Sequence, residues 1–491
     1  MQFLSRAALP NLPRNVRVPA YDPVTVETGI VHLGLGAFHR AHQAAYTDDV
    51  IGSGDMRWGI LGASLRSDDT RDALQGQDWL YTLAENSPSG PSLRVIGALQ
   101  GLLVAPENPA ALIESMSAPS VKIVSLTVTE KGYCHDPETR QLNDAHPDIL
   151  NDIATPETPR SAPGLITRAL AIRKQRNLSP FTVLCCDNLP ANGSTVRNVV
   201  TQLASLQDKE LEKYITHKVS FPSTMVDRIV PATTDADRSR IETALGFHDR
   251  WPVMTEDFTH WVIEDDFSAG RPDWAATFVT DVNPYETMKL RLLNGSHSCI
   301  AYLGYLSGYE TVFDAMQDAN LAGFVRRLMD QEVTPTLKLP AGANIESYKA
   351  ALIKRFHNPS LRHRTWQIAM DGSQKLPQRL LATVRDRLKI GAPIDGHALG
   401  IAAWMRYVTG VDENGKTIDV RDPLSGELRK RAENAGLSAN RLAPALLETE
   451  SIFGKDLPLN PTFVTAVTRT LDQLINHGAR ATLAAPGKQN P

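Results

Sequence analysis

Apolar and polar positions change their rhythm once along the 491 residues, near residue 284. Before that point, short apolar runs rich in β-branched residues alternate with amphipathic stretches. Thr28 to Leu33, Trp58 to Leu65, Val121 to Thr129, Phe181 to Cys186 and Trp261 to Phe267 read as strands, and residues 164–177 as a helix. Phe181-Thr-Val-Leu-Cys-Cys186 is apolar throughout, as a strand is when both its faces are covered. Such an alternation predicts a mainly parallel sheet over residues 1–284. After Pro284 the strand signals nearly vanish. Helical periodicity recurs over 286–307, 345–356, 375–389, 394–409, 426–435, 440–453 and 461–478, so residues 285–491 are predicted to form a mainly α-helical domain. The fold class is α/β with a helical second domain.

The first strand runs into Gly34-Leu-Gly36-Ala-Phe38-His39 and then an amphipathic helix. Strand, glycine-rich turn and helix in succession are the context a dinucleotide fingerprint requires, and they make residues 1–284 a Rossmann-type domain. Gly34 permits the tight turn, and Gly36 lets the backbone approach a pyrophosphate whose charge the helix N-terminus favours. Phe38 and His39 complete this cofactor-binding set. His39 stands where a third glycine is usual, so the helix must pack differently there. A simple strand-to-helix turn is the alternative reading. Beyond the second strand, Asp68 and Asp69 offer a carboxylate to a ribose 2'-hydroxyl and repel a 2'-phosphate, which points to NAD. Arg66 could instead bind that phosphate, or Ser67 and Asp68 could simply cap a helix.

Composition narrows the choice. A formal net charge of -4 supplies no basic field, so no nucleic-acid partner is expected. Cys134, Cys185, Cys186 and Cys299 lack zinc-type spacing and read as reduced thiols of a cytoplasmic protein. Residues 1–19 lack the continuous apolar core of a signal peptide, and no run approaches a membrane span. The oligomeric state is left open, a monomer included.

The candidate chemistry centres on residues 285–299. On an ideal helix Lys289 and His297 lie about 80° apart and Asn294 about 140° from Lys289, so one broad face could carry all three. Among Met288, Leu290 and Leu293 the lysine's charged form is disfavoured, which suits it to take a hydroxyl proton; Asn294 can donate to the oxygen left behind, and His297 can hold a second hydroxyl. The same spacing also fits an ordinary amphipathic helix with a snorkelling lysine. Asn188, just beyond the strand ending at Cys186, is placed to donate to a substrate oxygen or to make a turn. Asp227 and Arg228 fall in an apolar segment bounded by prolines, so they either pair structurally or touch ligand. Cations concentrate over 355–379, where Arg364 and Lys375 are first candidates for binding an anionic group of a small-molecule substrate. A surface charge cluster is the alternative.

Together these stretches resemble the polyol-specific long-chain dehydrogenases, the mannitol dehydrogenase family, from Ile30 to about residue 480. The Lys-x4-Asn-x2-His words at Lys289, Asn294 and His297 match that family's signature. The resemblance implies an N-terminal Rossmann domain and a helical C-terminal domain, with Lys289 as general base. It also implies Asn294 and Asn188 as an oxyanion hole, His297 as a substrate-orienting group, NAD as cofactor and no metal. Within the family, Ile-Val-His-Leu-Gly-Leu-Gly-Ala-Phe-His-Arg-Ala-His-Gln and Thr-Trp-Gln-Ile-Ala-Met-Asp-Gly-Ser-Gln-Lys-Leu-Pro-Gln-Arg look like the fructuronate reductase branch. Mannitol-type members would carry arginine where Gln367 stands. The implied reaction interconverts D-mannonate and D-fructuronate, with a mannitol or arabinitol dehydrogenase as the alternative and a non-catalytic sugar-acid or dinucleotide sensor as the reading from another class.

Overall fold

The computed structural model describes residues 2–87, 90–136, 139–340 and 342–485. The chain forms two compact units, Met1–Asn283 and Pro284–Pro491.

A five-stranded parallel sheet organises the first unit. Its strands are β1 (Thr28–Leu33), β2 (Gly59–Ser64), β3 (Leu99–Val104), β4 (Ile123–Leu126) and β5 (Thr182–Cys185). Their spatial order is β3-β2-β1-β4-β5, with every neighbouring pair parallel. The order of addition reverses between β1 and β4. A crevice opens at such a reversal, beyond the C-terminal strand ends.

Side chains alternate between two cores, as the two-residue period of a strand requires. Ile30, Ile60, Ile123 and Leu184 join one core, while Val31, Leu33, Val124, Leu126, Val183 and Cys185 join another with the helices Ala162–Gln175 and Asn192–Gln207. Burial on both faces explains the continuously apolar runs. The strand expected over Val121 to Thr129 is shorter than its β-branched residues suggest, running only Ile123–Leu126, and beyond it Thr129 turns to φ +67°.

The strand around Trp261 does not extend the parallel sheet. It forms His260–Glu264, antiparallel to Thr224–Asp227 and parallel to Thr277–Val279 in a separate three-stranded sheet. A four-stranded sheet of Val16–Arg17, Gly90–Ile96, Tyr81–Ser87 and Val253–Glu256 completes the described strands.

The second unit packs its helices around one core that includes Leu292, Ile300, Phe324, Trp404, Phe453 and Phe463. Gly295–Leu306 and Asp395–Tyr407 are buried on nearly every side, so their sequences are apolar all round rather than striped. Two of the long helical stretches are interrupted by wide turns. Residues 286–307 become Asn283–Lys289, a π turn Leu290–Asn294 and Gly295–Leu306. Residues 375–389 likewise contain a π turn, Pro377–Leu381, which opens on a proline that has no N–H to give to an α ladder. A third π turn is Leu328–Val333. Long Pro461–Ala484 kinks at Gly478, where φ is +77°.

Candidate active site

In the first unit the glycine turn lies at the C-terminal end of β1, beside the reversal. Gly34 has φ +89°, and a Cβ there would come within 2.3 Å of the Thr127 carbonyl oxygen, so only glycine fits. Gly36 is different. A Cβ added to it meets no atom closer than 3.8 Å, which leaves open space in front of the N-terminus of Ala37–Ala41. Room at that point, with backbone N–H groups facing it, fits the pyrophosphate of a dinucleotide.

Behind the turn, the position of a third glycine is filled by His39, whose ring stacks on that of His32 in β1 at 3.4 Å between centroids. His32 is fixed by bonds of 2.8 Å to the hydroxyls of Ser125 and Thr127. Burial pushes His32 down to about 3 and His39 well below the ordinary histidine range, so both rings are neutral. Helix-to-strand contact made elsewhere by a glycine is made here by two stacked uncharged imidazoles. Phe38 stacks in turn on His42, 5.1 Å away.

Asp68 and Asp69 are exposed and open the helix Asp69–Gln75 after β2, with Arg71 reaching the Asp68 carboxylate at 3.4 Å. Asn188 is exposed two residues beyond Cys186, past the end of β5. The Arg228 guanidinium donates to Glu85 Oε1 at 2.5 Å, to the Ala41 carbonyl at 2.5 Å and to the Glu256 carbonyl at 3.1 Å. Asp227, next to it, is buried in the strand Thr224–Asp227.

In the second unit the π turn changes the geometry of the lysine motif. A π turn takes up one residue more than an α turn and sets the helix phase back by about 100°. Lys289 and His297 thereby come to within about 20° of one line along the helix, with Asn294 about 40° from Lys289. The wide turn narrows the broad face of the ideal helix to a single edge. Gly295, at the end of that turn, is what lets the second π turn approach: a Cβ there would stand 2.9 Å from the Arg379 carbonyl oxygen.

Lys289 and His297 are buried, and Asn294 is half-buried. Burial, foremost, and then the charges of His363, Arg355, Arg379 and Lys289 hold His297 well below its ordinary range. It is an uncharged imidazole, able to donate through one ring nitrogen and accept through the other. Phe356 packs on its ring at 4.7 Å, and His363 meets it edge-on at 5.7 Å. His363 is itself pushed down to about 4 by burial and by Lys375.

Of the two cations expected to meet an anionic substrate group, Lys375 donates to the carbonyls of Met370 at 2.5 Å and Ile368 at 3.4 Å. Arg364 is exposed and pairs with Glu310 at 2.5 Å. The cation-rich stretch 355–379 stood out in the sequence, but not that Phe356, His363, Arg355 and Arg379 within it would bear on His297, because they come from a separate helix end and a separate π turn. Away from these residues, Cys134, His146 and Asp148 bring three potential ligand atoms within 4.8 Å of one another. His146 Nδ1 already accepts the Asp148 N–H at 3.2 Å there.

Two family models together span most of the chain: the mannitol dehydrogenase Rossmann domain matches residues 28–276 and the mannitol dehydrogenase C-terminal domain residues 281–475. The chain belongs to the mannitol dehydrogenase family. It is 48% identical to D-mannonate oxidoreductase of Escherichia coli K12 over 97% of this chain and 98% of that one. It is equally 48% identical to the uncharacterized oxidoreductase YeiQ of the same organism, over 96% and 97%. Among solved structures it resembles the mannitol 2-dehydrogenase of Pseudomonas fluorescens, a ternary complex with NAD and D-mannitol, with a TM-score of 0.90 and 39% identity over 99% of both chains. As a mannitol dehydrogenase family oxidoreductase, the chain pairs a Rossmann domain whose glycine turn fits NAD with a helical domain that carries the lysine motif.

Proposed function

We propose that this protein is an NAD-dependent oxidoreductase that interconverts D-mannonate and D-fructuronate. NAD supplies the hydride acceptor. In the oxidative direction Lys289, as the free amine, takes the proton of the reacting hydroxyl while the hydride leaves the same carbon, and a carbonyl remains. Asn188 and Asn294 donate to the oxygen on which negative charge grows, and neutral His297 orients a neighbouring hydroxyl without adding a charge that would compete with the base. Replacing either asparagine by alanine should raise the barrier by about 2.7–4 kcal/mol, as for other single oxyanion donors.

The observation that supports this reading most is the π turn Leu290–Asn294, whose phase shift turns buried Lys289, half-buried Asn294 and uncharged His297 toward one edge of the helix. A module that only binds has no use for a lysine base held beside a neutral imidazole. The sugar acid is favoured over the sugar alcohol by the cations around His297 and His363, which complement a carboxylate. The mannitol reading retains the support of the Pseudomonas structure. Purified protein tested on a panel of hexonates and alditols, followed by NADH absorbance, separates the two. Turnover of mannonate well above mannitol is expected; preference for mannitol sinks the uronate reading, and NADH binding without any turnover favours a sensor.

A further inference from the structure

Asp187 is a half-buried carboxylate that the reaction does not use. It follows β5 directly and precedes Asn188. One oxygen, Oδ2, accepts three hydrogen bonds: the Val128 N–H at 2.8 Å, the Thr129 N–H at 3.1 Å and the Tyr133 hydroxyl at 2.6 Å. All three donors come from the segment that leaves β4.

That segment is strained. Thr129 has φ +67° and ψ 163°, a region populated almost only by glycine. A non-glycine residue stays there only when its surroundings over-determine it, and here two successive N–H groups aim at one anionic oxygen. The other side of the segment holds the glycine turn: the Thr127 hydroxyl donates to the Gly34 carbonyl at 2.9 Å and meets His32 Nε2 at 2.8 Å. Residues 127–129 are therefore a strip stretched between the cofactor turn and Asp187. They lie at the C-terminal ends of β1, β4 and β5, where the strand order reverses.

We infer that Asp187 is a positioning residue for dinucleotide binding: its carboxylate, with Tyr133, holds the strained Thr127–Thr129 strip in the shape that forms the β4 wall of the cofactor crevice and fixes the backbone from which Asn188 projects. The inference rests on the NAD reading above. Burial lifts the Asp187 carboxyl above its ordinary range, but the three donors work against that rise and favour the anion that this arrangement needs.

The test is NADH binding by fluorescence titration of the full chain, with thermal melting alongside. Wild type must bind NADH; if it does not, the NAD reading fails and the inference is not what failed. Asp187→Asn keeps the shape but replaces the anion, and should weaken NADH binding about tenfold while turnover at saturating cofactor falls further through Asn188. Thr129→Gly removes the strain that Asp187 opposes, so adding it to Asp187→Asn should recover most of the lost affinity. A purely structural carboxylate would lower the melting temperature of Asp187→Asn without changing the affinity of the folded fraction, and that result overturns the inference. Failure of Thr129→Gly to recover affinity overturns it too. Should Asp187→Asn not fold, Tyr133→Phe removes one of the three bonds and should weaken NADH binding about threefold, and unchanged affinity in that variant again overturns the inference.

Discussion

The rings of His297 and Phe356 lie 4.7 Å apart and are tilted by 43°, so an aromatic face occupies space from which water would otherwise solvate the imidazole. This packing helps to keep His297 uncharged among four cationic or basic neighbours. Phe356→Ala should cost about 3–5 kcal/mol of stability, as large-to-small core changes do, and Phe356→Leu less. In Phe356→Leu the His297 ring should titrate closer to the ordinary histidine range. Ring proton chemical shifts followed against pH check this, and an unmoved titration would assign the neutrality to other groups.

Lys289→Ala should lower turnover by about 10²–10⁴-fold and leave NADH binding intact, because a general base contributes to the chemical step alone. Single-turnover rates beside fluorescence titration make the comparison. Parallel losses in cofactor affinity and turnover would make Lys289 a structural residue.

Gly34 and Gly36 should behave oppositely. Gly34→Ala forces a Cβ against the Thr127 carbonyl at a positive φ and should destabilise the fold by more than 1 kcal/mol or so. Gly36→Ala meets only the Gly34 carbonyl oxygen, at an ordinary contact distance of 3.8 Å, so its melting temperature should stay near that of wild type while NADH binding weakens. Melting curves and cofactor titrations on both variants suffice. Equal effects of the two on stability would contradict the open space at Gly36.

Acid should destabilise the protein before its carboxylates protonate. His32, held at about 3, and His363, held at about 4, refuse in the folded state a proton that the unfolded chain accepts near 6.5. Their contribution is complete above about pH 6.5 and is lost as pH falls through that value toward the folded-state values. Melting temperature should fall between about pH 6.5 and 4, and His363→Asn should flatten that slope. A slope unchanged by His363→Asn would place the acid sensitivity elsewhere.

Lys375 and Arg364 are expected to part company. Arg364→Met loses an exposed ion pair with Glu310, worth about 0–1 kcal/mol, and should leave mannonate efficiency within about twofold of wild type. Lys375→Met removes a cation that acts on half-buried His363, and should lower mannonate efficiency far more than any residual mannitol activity. Steady-state kinetics on both substrates decides, and equal losses on the two would remove Lys375 from carboxylate recognition.

What the sequence by itself determined was the parallel α/β core and the helical character of the second half. It also carried the words on which the proposed chemistry rests, because apolar period, glycine placement and Lys-x4-Asn-x2-His are local properties of the chain. Even the need for glycine at position 34 was legible from strand, turn and helix in succession. Tertiary structure decided the rest. No local pattern announced that Leu290–Asn294 would widen into a π turn, or that Gly295 would let the backbone of the second π turn come close at Arg379. Nor did the residues beside it show that Arg228 would be taken up by Glu85 and the carbonyls of Ala41 and Glu256. The charge state of His297 likewise belongs to Phe356, His363, Arg355 and Arg379, which are distant in sequence. Pairing and desolvation are set by what the fold brings from elsewhere in the chain, and periodicity along the chain records only which side of each element is covered.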